Sequence, residues 1–188
     1  NKNKKLISIT LIFICLFATI KYHIRFNENR KFHELSAVDF KLSTNAKKID
    51  KKFSGLKWIT PEFKNNSNEE IGAINEIKLF LRDDNRKKML MTNYSFFSIT
   101  LNQKLHASSR WFLFDGTTHP LKGNKYFQSY KELLTKIIRE NDIEVIYTID
   151  PVESSLVYTY IDKNCFNENQ ISDILNSFEI KECKDING

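Results

Sequence analysis

Fifteen consecutive residues, Leu6 to Ile20 (LISITLIFICLFATI), carry no charge and are interrupted only by Ser8, Thr10 and Thr19. No other stretch of this chain restricts its folding as strongly. Coiled as a helix, the run is about 22 Å long at about 1.5 Å per residue, less than the roughly 30 Å hydrocarbon core of a bilayer. Lys5 and Lys21 can extend it by snorkelling and Tyr22 can sit at the interface, so the segment reaches spanning length.

Three readings compete for this run. A signal peptide has the same basic start, but no A-x-A-like cleavage site follows, and Phe13-Ile14 ahead of Cys15 lacks the small residue expected before a lipidated cysteine. A buried soluble helix keeps a polar face, and this run shows none. A membrane anchor, the last span of a polytopic protein, fits best. The chain begins with Asn rather than Met, and we expect it to be processed or part of something longer.

The charge supports the same division. The formal net charge is +6, yet residues 1 to 35 hold seven Lys and Arg against two acids, while the remaining 153 residues carry 22 basic and 21 acidic side chains. Nucleic-acid binding needs a basic face that neutralises several phosphates. A near-neutral body does not supply one, so no nucleic-acid partner is expected, and the lipid bilayer is. Both flanks of the apolar run are basic, so charge does not set its orientation.

Beyond Tyr22 the chain is polar with scattered apolar residues (Ile24, Phe26, Phe32, Leu35, Val38, Phe40, Leu42), the pattern of a connector with one strand and a short helix near Asn45 to Phe53. Short apolar runs then alternate with amphipathic ones. Strands are expected at Leu56–Ile59, Met89–Thr92, Trp111–Phe114, Glu144–Ile149 and Phe178–Cys183. Helices are expected at Glu69–Leu81, Asn93–Leu101, Lys125–Asn141, Pro151–Ile161 and Ile171–Ser177. The expected organisation is a transmembrane helix over 1–22, a connector over 23–54 and a soluble α/β domain over 55–188, a small three-layer, mostly parallel sheet of Rossmann-like topology.

No nucleotide motif accompanies that topology. The chain lacks G-x-G-x-x-G and G-x-x-x-x-G-K-[ST], and its five glycines leave little scope for a phosphate cradle. No cofactor is expected. His23, His33, His106 and His119 show no metal-ligand spacing, and no G-x-S-x-G elbow occurs, so no metal and no catalytic residue are assigned. Ligands of open α/β sheets collect at the carboxyl ends of strands, which makes Thr92, Asn93, Asp115, His119 and Asp150 the candidate ligand-binding residues. Asp115 and His119 share a loop and could form an acid/base or sugar-hydroxyl-binding pair. The alternative is that Asp115-Gly116 simply turns the chain and Asp150 caps a helix opened by Pro151.

Cys165 and Cys183 are the only thiols outside the apolar run. A disulfide between them would pin the last strand and place the domain in an oxidising compartment. Two buried free thiols are the alternative.

Several stretches together carry a family resemblance: the apolar helix, Gly55-Leu56-Lys57-Trp58-Ile59-Thr60-Pro61, Lys122-Gly123-Asn124-Lys125-Tyr126-Phe127, Ile143-Glu144-Val145-Ile146-Tyr147, and Asn164-Cys165 with Cys183-Lys184-Asp185-Ile186. The chain resembles the C-terminal end of bacterial polytopic membrane glycosyltransferases, the lipid-linked-sugar-dependent superfamily related to protein mannosyltransferases and aminoarabinose transferases. The resemblance implies a last transmembrane helix in the bacterial inner membrane followed by a periplasmic α/β accessory domain. It also implies a polyprenyl-phosphate sugar donor and an envelope acceptor as partners. The catalytic acid of that superfamily lies in the first extracytoplasmic loop, and no residue here matches it. The alternative function is a non-catalytic, membrane-anchored periplasmic binding or scaffold module. A weaker third option is a soluble-domain enzyme using Asp115 and His119.

Overall fold

A computed structural model describes residues 2–25, 35, 38–183 and 186. The protein is mixed α/β, with one apolar N-terminal helix and a domain built on a mixed sheet. Its chain divides into two compact units, one of Asn1–Ala46 with Ser54–Glu70, the other of Lys47–Phe53 with Ile71–Gly188.

In the first unit, helix α1 (Lys2–His23) contains the whole uncharged run. Its apolar side chains are exposed on every side, and none of the described residues covers them. Among the described residues it is the one helix long and apolar enough to cross a membrane. Strands β1 (Thr44–Asn45) and β2 (Lys57–Trp58) then pair antiparallel, Thr44 opposite Trp58. The buried Glu70 carboxylate ties this ribbon to the start of helix α2 (Ser67–Asp83), because Oε2 accepts from Trp58 Nε1 at 2.8 Å and Thr60 Oγ1 at 2.9 Å. A buried carboxylate is tolerated when it is hydrogen-bonded in this way. The expected connector strand corresponds to β1, whereas the helix expected near Asn45 to Phe53 is two 3-10 turns, Ala46–Lys48 and Lys51–Phe53. Phe26 and Phe32 lie outside the described residues.

The second unit is organised by four strands in the order β3-β4-β6-β5. Strand β3 (Lys88–Met91) runs parallel to β4 (Val145–Ile149), with Met89 opposite Ile146. Strands β4 and β6 (Leu175–Ile180) are antiparallel, as are β6 and β5 (Phe166–Ser172). The sheet is therefore mixed, which corrects the expectation of a mostly parallel one. The difference arises at Ile171–Ser177: in place of a helix, a tight turn at residues 173–174 joins β5 and β6 into a hairpin. Strand β5 is the sheet edge, polar and exposed from Asn167 to Ser172, with an irregular register between Gln170 and Ser172.

Side-chain alternation sends Met89, Met91, Ile146 and Phe178 to one face of the sheet. There they join a core with Tyr130, Leu134 and Ile138 of helix α4 (Phe127–Glu140), and with Val157 and Tyr160 of helix α5 (Ser155–Tyr160). On the opposite face Tyr147 meets Phe80 of α2 edge-on at 5.7 Å between ring centroids. The stripe Ile71, Ile74, Ile77 and Leu81 of α2 is buried, as its spacing predicts. A disulfide joins Cys165 and Cys183, whose Cα atoms lie 5.4 Å apart. Beyond it Ile186 returns to the core.

Trp111–Phe114 is not a strand. Phe112 is buried at 4% exposure, and its neighbours Trp111 and Phe114 are 47% and 95% exposed. The four residues form a loop whose amides find side-chain partners: Phe112 N donates to Asn93 Oδ1 at 2.8 Å and Leu113 N to Thr118 Oγ1 at 3.0 Å.

Candidate functional site

The carboxyl end of β3 opens into a crevice of about 350 Å³ in the second unit. Helix α3 (Phe97–Leu101) forms one wall, and the segment from Leu105 to Arg110 the other. That second wall is fixed to β3 by a lone parallel bridge at Met89 and His106, in which Leu90 N donates to His106 O at 2.8 Å and His106 N to Lys88 O at 3.3 Å. The crevice is thus flanked by two parallel segments at their carboxyl ends, where α/β sheets collect ligands.

Its polar lining is made of Thr92, Ser95, Ser98, His106, Ser109 and Arg110. Thr92 Oγ1 accepts from Tyr94 N at 3.0 Å and shapes the turn leaving β3. Burial lowers the His106 pKa and the Lys104 charge lowers it further, which favours the neutral imidazole, a group that can accept as well as donate. The Arg110 guanidinium lies over the Trp111 ring, 5.2 Å from its centroid. Among the described residues no hydrogen bond joins a crevice hydroxyl to His106. The set suits a ligand rich in hydroxyls with one anionic group, which Arg110 would hold by charge-assisted hydrogen bonds.

The remaining candidates are placed elsewhere. Asn93 braces the loop at Phe112. Asp115 is exposed, and its Oδ1 accepts from Thr117 N at 3.0 Å and Thr117 Oγ1 at 2.8 Å, bonds that lower its pKa. His119 is buried between the Phe112 and Tyr160 rings, with Nδ1 3.2 Å from Thr118 Oγ1. Burial lowers its pKa, against the opposing pull of Asp115. No hydrogen bond joins Asp115 to His119 among the described residues, and the Asp115 turn has the form of an Asx motif. Asp150 is exposed at the end of β4, its amide donating to Ile174 O at 3.0 Å, and α5 starts only at Ser155.

No protein-family model, curated protein or solved structure matches this chain.

A second polar cluster sits at the amino end of β3. Arg86 donates to Asp84 Oδ1 at 3.0 Å, to Glu179 Oε1 at 2.7 Å and to the Tyr147 hydroxyl at 2.8 Å, and that hydroxyl in turn donates to Asp84 Oδ2 at 2.5 Å. Buried Lys88 bonds the Leu81 and Asp84 carbonyls at the end of α2, where a cation meets the negative helix terminus. Burial raises the Asp84 pKa, but the bonds from Arg86 and Tyr147 outweigh it and hold the carboxyl below its ordinary 3.8. A depressed carboxylate adds stability that is fully present above its unfolded value and is lost as pH falls through its folded value. Denaturant titrations from about pH 5 to about pH 2 are expected to show this acid-side loss in the native chain. The same titrations should show a flatter profile in Asp84→Asn, with stability lower by on the order of 2 kcal/mol at neutral pH. Superimposable profiles would sink the assignment.

Proposed function

We propose that the chain is a membrane-anchored accessory domain of a lipid-linked-sugar-dependent glycosyltransferase, held on the periplasmic side of a bacterial inner membrane. In this reading its crevice receives part of a saccharide, from the polyprenyl-phosphate donor or the envelope acceptor. The observation that carries the reading is the joining, in one chain, of a bare apolar helix of spanning length to a domain closed by a disulfide. Disulfides persist in oxidising compartments, and a helix exposed on all sides is matched by lipid. The contacts of α2 with one sheet face and of α4 and α5 with the other support a three-layer α/β reading of the domain. The crevice chemistry, hydroxyls plus one guanidinium, supports a phospho-sugar ligand.

A second reading, a non-catalytic binding or scaffold module, is favoured by a separate observation. Thr92, Asn93 and Asp115 all spend their side chains on backbone amides. Binding by the full chain in nanodiscs separates the two. Calorimetric titration with a polyprenyl-phosphate sugar is expected to show saturable binding that falls about tenfold in Arg110→Ala, the loss of roughly one charge-assisted contact. Identical isotherms for wild type and variant would overturn the saccharide site and leave the scaffold reading.

A further inference from the structure

We infer that the Trp111–Phe114 loop is a bilayer-docking tip, which seats its aromatic side chains at the headgroup level of an anionic membrane. The inference starts from burial. Along a four-residue apolar run only Phe112 enters the core, and Trp111, Leu113 and Phe114 all face solvent. Tyr126, at the start of α4, is exposed as well, at 60%. Trp111, Leu113 and Phe114, exposed together on one loop, mark an interaction surface.

The tip is held open by its own hydrogen bonds. Asn93 and Thr118 hold the Phe112 and Leu113 amides, and Gly116 N donates to Leu113 O at 3.1 Å. Gly116 has φ of 73°, and a Cβ there would stand 2.8 Å from Leu121 Cγ, so the turn admits no side chain at that corner. The aromatic groups are therefore presented in place.

Charge and composition select the occupant. Residues 107–127 contain Arg110, Lys122 and Lys125 against the single acid Asp115. Two of these cations lie over the exposed aromatics: Arg110 over Trp111 and Lys125 over Tyr126, the latter 4.7 Å from the ring centroid. Trp and Tyr rings flanked by Arg and Lys are the side chains that populate the membrane–water interface, and the basic groups complement anionic lipid. The inference rests on the anchored reading only for avidity, since a covalent tie to a membrane helix would keep the loop at high effective concentration near the bilayer.

The test uses the full chain reconstituted in vesicles of zwitterionic lipid with an anionic fraction, with and without brominated acyl chains. The difference in emission between wild type and Trp111→Phe isolates Trp111 without disturbing the Trp58 bond to Glu70. Bromolipid is expected to quench most of that difference signal, and Phe114→Asp, a change at a 95% exposed position, is expected to restore it. A Trp111 signal that bromolipid leaves unquenched overturns the proposal, including the case in which it is blue-shifted by a partner protein or a second copy. Alkaline extraction of the same vesicles reports on the helix alone. A chain that stays in the pellet with Trp111 unquenched sinks the tip and spares the anchor. A quenched Trp111 on an extractable chain supports the tip and sinks the anchor.

Discussion

Truncating Tyr160 to Ala is expected to destabilise the second unit by about 4 kcal/mol, within the range for losing a buried aromatic ring. Tyr160 is fully buried where α4, α5 and the loop before Leu121 converge. Its ring lies 4.9 Å from that of Tyr130, 5.5 Å from Phe127 and 6.4 Å from His119, and its hydroxyl donates to Pro120 O at 2.9 Å. Removing it leaves a cavity with walls from three elements, which cannot all collapse inward together. Tyr160→Phe keeps the ring and loses one hydrogen bond, so its cost should be nearer 1 kcal/mol. Guanidinium titrations of the full chain in detergent, followed by near-ultraviolet circular dichroism, measure both. Equal costs for the two variants would show that the hydroxyl, not the packing, carries the effect.

Loss of the disulfide is the other large effect. Cys165 and Cys183 are 18 residues apart, and opening a loop of that size restores chain entropy to the unfolded state equivalent to about 3 kcal/mol. Cys183→Ser should lower the denaturation midpoint to that of the reduced wild type, and reductant should not shift the variant further. The closed loop contains the whole β5–β6 hairpin, and Ile186 beyond it fills the core, so both should lose hydrogen-exchange protection on reduction. Alkylation of both cysteines in the native, untreated protein would refute the bond and remove the main support for an extracytoplasmic location.

Much of this architecture was legible where one physical signal dominated. Helix α4 shows it best: Tyr130, Leu134 and Ile138 recur at four-residue spacing and are all buried. Strand β4, buried on both faces, lies within the strand expected over Glu144–Ile149, where Thr148 is the one polar break in Val145–Ile149. The hairpin was not, because β5 is an exposed polar edge and has no alternation to detect. Trp111–Phe114 misled in the opposite sense, since hydropathy reports what a side chain prefers and not whether the chain covers it. Thr92 lines the crevice, as the strand-end rule expects, whereas Asn93, next in sequence, is a brace for the loop at Phe112. His106 left no trace in the sequence, because a single bridged residue in a polar segment has no period.

The sheet also ends in a way that matters when copies of the chain meet. An open strand edge is a template on which neighbours can polymerise. Strand β5 presents Asn167, Glu168, Asn169 and Gln170 along that edge, breaks its register before Ser172, and has Glu168 hydrogen-bonded to the Tyr158 hydroxyl. Such an edge, polar and irregular in register, is a poor seed for cross-strand aggregation.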